Sequence, residues 1–60
     1  MKQIATYPNE HYGIESRVYQ TDTDFRVALF DTDADERVCL IIRFQTLAQA
    51  TVKAKHLANI

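Results

Sequence analysis

The spacing of apolar residues changes period at Phe44, and that change constrains the fold more than anything else in the chain. Before it lie Phe25-Arg26-Val27-Ala28-Leu29-Phe30 and Arg37-Val38-Cys39-Leu40-Ile41-Ile42-Arg43-Phe44, short runs rich in β-branched and aromatic residues and bounded by polar clusters. Both read as strands. Between them, Asp31-Thr32-Asp33-Ala34-Asp35-Glu36 supplies carboxylates that close turns by accepting from nearby backbone amides. A hairpin follows.

After Phe44 the pattern becomes helical: Leu47, Ala50, Ala54, Leu57 and Ala58 fall on one side, with Thr51 beside them. Thr46, with Gln49 three residues on, forms a capping-box pattern and marks the helix start. Lys53, Lys55 and His56 lie in the last two turns, where cations complement the helix dipole. The small residues of the stripe suit a close approach to a sheet, and Gln49, Lys53 and His56 are expected to face water.

If Leu29 pairs with Val38 and Val27 with Leu40, alternation gathers Phe25, Val27, Leu29, Val38, Leu40, Ile42 and Phe44 on one face, the natural seat for the helix. The opposite face then carries Arg26, Ala28, Phe30, Arg37, Cys39, Ile41 and Arg43. A one-residue slip would exchange the faces of a whole strand, so the large apolar set is expected to hold the register.

Upstream, residues 2–7 form a short strand with Ile4 and Thr6 on one side and Ala5 and Tyr7 on the other, ended by Pro8. Asn9-Glu10-His11-Tyr12-Gly13 is loop chemistry. Residues 14–20 alternate weakly and, with Glu15 and Arg17 to discourage foreign pairing, read as an edge strand. Thr21-Asp22-Thr23-Asp24 turns the chain into Phe25. The expected domain is thus α+β, a three- to four-stranded antiparallel sheet with one C-terminal helix packed on one face. Its strands cover about 2–7, 14–20, 25–31 and 37–44, and its helix about 47–58.

Sixty residues allow one domain, and a chain of that size buries only roughly 60% of the surface its unfolded form exposes. The 47% hydrophobic share is enough for folding and exceeds what one sheet face and one helix stripe need, which opens self-association as a way to complete the core. The single cysteine, Cys39, excludes an internal disulfide and fits a reducing compartment. No long apolar run follows Met1-Lys2-Gln3-Ile4, so neither a signal peptide nor a membrane span is expected and the reading is cytoplasmic. A net charge of −1 argues against a protein whose main task is neutralising phosphates.

Few residues point to chemistry. Asp31-Thr32-Asp33-Ala34-Asp35 begins like a calcium loop, but Glu36 stands where the sharp turn needs glycine and Ile42 where a bidentate glutamate belongs, so no metal is expected. His11 and His56 lack ligand spacing with each other or with Cys39. Ser16, Tyr19 and Cys39 have no adjacent base, and one glycine cannot build a phosphate loop. Neither a catalytic site nor a cofactor is expected.

The outer face is what calls for explanation. A lone helix covers one side of a sheet, leaving Tyr19, Phe30, Ala28, Cys39 and Ile41 among Arg17, Arg26, Arg37 and Arg43. Apolar patches rimmed by polar groups mark contact surfaces, and aromatic residues with arginine are the types enriched at interface hot spots. The expected partner-binding residues are Arg17, Tyr19, Arg26, Phe30, Cys39, Ile41 and Arg43, engaging a protein partner or a second copy of the chain. Two other readings apply to the same residues. Arginine stems can cover the apolar groups while pairing with Glu15, Asp24 or Glu36. Alternatively, the sheet face can enter a DNA major groove, where arginine reads guanine.

The length, the Met1-Lys2 start and the strand end running into Arg43-Phe44-Gln45-Thr46-Leu47-Ala48-Gln49-Ala50 together resemble the small accessory proteins encoded in the early regions of lambda-like temperate phages. The resemblance implies a cytoplasmic protein without enzymatic activity that acts by binding a host or phage factor. No site motif comes with it, so no residue takes a role from it.

Overall fold

The structure, a computed structural model, describes residues 1–9, 13–38 and 41–59. Strands β1 (Lys2–Pro8), β2 (Ile14–Gln20), β3 (Phe25–Asp31), β4 (Glu36–Arg37) and β5 (Ile42–Phe44) precede one helix, α1 (Leu47–Ala58). All pairings are antiparallel, in the order β1-β2-β3, with β4 and β5 both bonded to β3. The α+β architecture is as the change of period predicts.

The helix lies chiefly over β2 and β3. Val18 of β2 and Val27 of β3 stand directly opposite each other and are fully buried beneath Ala50 and Ala54. Phe25, Phe44, Ala5, Tyr7 and Leu57 pack around this centre. Ala50, Ala54 and Ala58 recur every four residues along one ridge, and their small side chains let the helix backbone approach the sheet. Thr46 caps the helix, its Oγ1 accepting from the Gln49 backbone N–H at 3.2 Å. At the other end Asn59 Nδ2 donates to the Lys55 carbonyl and Asn9 Nδ2 to the Ala58 carbonyl, which ties the β1–β2 connection to the helix terminus.

The structure departs from the sequence reading in five respects. The strand expected over 37–44 is described as two pieces, with Phe30 opposite Arg37 in one register and Val27 opposite Ile42, not Leu40, in the other. Four residues, 38–41, therefore span the two β3 residues Ala28 and Leu29. The Val38 N–H still donates to the Leu29 carbonyl at 2.9 Å, so the expected register holds up to that point. Physically, Val38-Cys39-Leu40-Ile41-Ile42 is continuously apolar and offers no alternation to fix the pairing. Because the jump is two residues, side-chain parity survives, and Ile42 and Phe44 stay on the face of Val27 and Phe25. Cys39 and Leu40 lie outside the described residues.

Second, Val38 is 47% exposed instead of joining the inner apolar set. Third, β2 is an interior strand and β1 the edge. β1 protects that edge with a bulge: the register shifts between Gln3 and Ala5, leaving Ile4 as the extra residue. Fourth, Leu47 is 45% exposed although it shares the helical stripe. It occupies the first turn, before the first buried residue, Ala50. Fifth, Lys53, expected to face water, is half-buried.

Among the described residues one polar side chain is buried in this core. Ser16 stands opposite Leu29 and Tyr7, has no exposed surface, and its hydroxyl has no hydrogen-bond partner among the described residues.

Candidate functional site: the outer sheet face

Register fixes which side chains share the face away from the helix. One row across the sheet reads Gln3, Tyr19, Arg26, Arg43, from β1 through β2 and β3 to β5. The next reads Thr6, Arg17, Ala28, and the third Pro8, Glu15, Phe30, Arg37. Five of the seven expected contact residues, Arg17, Tyr19, Arg26, Phe30 and Arg43, are thus brought onto one surface. Ile41 is half-buried and sits just before β5, outside the ladder. Cys39 lies outside the described residues.

Burial on this face decides its character. Ala28 has no exposed surface although no helix covers that side. Arg17 stands directly opposite it, and the Arg17 guanidinium lies 3.9 Å from the centre of the diagonally placed Phe30 ring. The arginine stem and head thus cover the apolar groups. Arg17 Nε donates to Glu15 Oε2 at 2.6 Å, with 24% and 18% of the two side chains exposed. The Glu15 hydrogen bond, aided by one with Tyr19, raises the Arg17 pKa above its already high ordinary value. Arg17 is a fixed cation at any accessible pH.

The second anchor comes from the β2–β3 turn. The Thr21 hydroxyl donates to Asp24 Oδ1 at 2.6 Å while accepting from the Asp24 backbone N–H at 2.9 Å. Arg26 Nε reaches the same carboxylate oxygen at 3.3 Å. The Thr21 hydrogen bond is the chief cause that holds the Asp24 carboxyl below the usual carboxylate range, and the positive charges of Arg26 and Arg43 act in the same direction. Thr21 has a role in orienting Arg26 that the sequence reading did not assign. The i to i+3 spacing of Thr21 and Asp24 was the available signal, because that spacing lets a hydroxyl and a carboxylate close one turn.

Arg37 and Arg43 have no carboxylate partner among the described residues, and both are exposed. Glu36, offered by the sequence as an arginine partner, makes no ion pair among them either. At the opposite end of the sheet the turn after β3 is acidic. Asp31 Oδ1 accepts from the Asp33 and Ala34 amides, and Asp35 closes the turn at a left-handed φ of 54° that aspartate tolerates. Among the described residues no three His, Cys, Asp or Glu side chains gather to hold a metal ion. No described helix is long and apolar enough to cross a membrane.

Fold and face together define a small α+β protein in which one side of an antiparallel sheet is closed by a helix and the other is a basic, aromatic-bearing surface. Neither a family model, nor a curated protein, nor a solved structure matches the chain.

Proposed function

We propose that this chain is a non-enzymatic protein-interaction module that takes its partner on the outer sheet face. The observation that carries this reading is the charge pattern of the face: arginines from β2, β3, β4 and β5 are spread along it between two acidic turns, which hold Asp22 and Asp24 at one end and Asp33, Asp35 and Glu36 at the other. A partner with carboxylates placed to meet the arginines and cations placed to meet the turns complements it. Electrostatic complementarity of this kind sets register and rejects wrong partners. Self-association through the same face is a weaker fit, because a twofold contact sets arginine against arginine. The resemblance to phage accessory proteins and the lone cysteine support a cytoplasmic setting for such a binder.

Duplex DNA is the second reading, favoured by the spread of arginines over four strands. The acidic turns at both ends count against it, since phosphates running past the sheet would be repelled.

The test compares capture of cytoplasmic proteins by the wild type, by an outer-face variant (Arg17→Glu with Arg43→Glu) and by a helix-face control (Gln49→Glu with His56→Glu). A partner lost only with the outer-face variant supports the reading, and one lost only with the control moves the site to the helix. Sedimentation across concentration and a duplex titration at low salt accompany it. A dimer abolished by the outer-face change selects self-association, and duplex binding that weakens steeply with salt selects DNA.

A further inference from the structure

We infer that Arg26 and Arg43 form a two-guanidinium fork for a carboxylate of the partner, so that the segment docking on this face is an acidic stretch of protein whose glutamate or aspartate side chain is seated at that row. This rests on the outer-face reading above and names its partner chemistry.

The two arginines are direct cross-strand partners on β3 and β5. Neighbouring strands lie about 4.8 Å apart, and like charges placed opposite each other weaken a sheet. A chain that needed only stability would set an acid opposite Arg26. Here a single carboxylate, Asp24, serves the pair: its Oδ1 touches Arg26 Nε, and its titration responds to the charge of both arginines. The sum at this row is one uncompensated positive charge.

Arginine offers five N–H donors in a planar fork. Asp24 occupies the Nε–H of Arg26, which leaves that arginine's terminal amino groups unused by Asp24 and Arg43 with no carboxylate among the described residues. Asp24, itself fixed by Thr21, holds Arg26 in place, so part of the ordering entropy of the anchor is already lost before a partner arrives. Tyr19, next in the row, adds an aromatic flank. Arg17 is committed to Glu15 and Phe30, and Arg37 adjoins the acidic turn at Glu36, so neither presents a comparable pair.

The experiment is an NMR titration of the full chain, following arginine Nε–H signals, with a poly-L-glutamate peptide and separately with a twelve-base-pair duplex. The expected result is saturable movement of the Arg26 and Arg43 signals with poly-glutamate, with affinity falling about tenfold in Arg43→Ala and less than twofold in Arg37→Ala. Equal loss in both variants, or movement spread evenly over arginines and lysines, overturns the fork while leaving the face as the binding surface. No movement on the outer face with either probe overturns the outer-face reading as well. Binding of the duplex alone overturns the acidic partner. Because Arg43 is exposed, its replacement tests contact and not folding, and an unchanged amide spectrum verifies that.

Discussion

Asp24, in the β2–β3 turn, and Ser16, on the helix-covered face of β2, show what single side chains contribute and cost here. The Asp24 pKa is lowered in the folded chain, first by the Thr21 hydroxyl and then by arginine charge. A depressed carboxyl pKa contributes stability that is fully present above the unfolded value, near 4, and is lost as pH falls through the lower folded value. Thermal melts should therefore lose stability as pH drops below about 4, and Asp24→Asn should flatten part of that slope; an unchanged acid slope would count against the Thr21–Asp24–Arg26 cluster. Ser16 presents the opposite balance. Its buried hydroxyl has no described partner, and leaving such a group unpaired costs about 1–3 kcal/mol. Ser16→Ala should raise the unfolding free energy by about 1 kcal/mol, read from the urea midpoint, and a loss of similar size would mean that the hydroxyl is satisfied.

Among the elements, the helix is the one whose ends are most fully specified. Thr46 satisfies one of the first-turn amides, and Asn59 and Asn9 take carbonyls at the last turn. Thr46→Ala should cost about 1 kcal/mol, while Thr46→Ser or Thr46→Asp should restore most of it; calorimetry of the three variants checks the order. This cap was legible in the sequence because Thr46 and Gln49 stand at the required spacing just where the period changes. So were β3 and the inner placement of Phe25, Val27 and Phe44, since alternation is unambiguous there. The split of the last strand was not legible. Five consecutive apolar residues at 38–42 suit either face, so only the three-dimensional pairing of Arg43 with Arg26 reveals where the register resumes. The interior position of β2 was missed for a related reason. Weak alternation and two charges describe an edge strand and equally describe a strand whose charges pair on an open face, as Glu15 and Arg17 do.

At the level of the whole molecule, the fully buried side chains of the core cluster are small among the described residues: Val18 and Val27 of the sheet beneath Ala50 and Ala54 of the helix. A chain with so little core rarely holds more than about 3–5 kcal/mol of stability. A partner on the outer face would add to that by mass action. Much of the outer face was legible, since Arg17, Tyr19, Arg26, Phe30 and Arg43 do share it. What the sequence left open is how that face is finished, because shielding Phe30 depends on where the Arg17 head comes to rest. The register jump beside Ala28 also has a consequence for how the chain tolerates changes in length. Two surplus residues are absorbed without turning Ile42 or Phe44 outward, whereas one residue more or fewer would invert that strand and put Arg43 beneath the helix. Insertions and deletions between Val38 and Ile41 are therefore admissible only in steps of two, a parity rule imposed by the pleat itself.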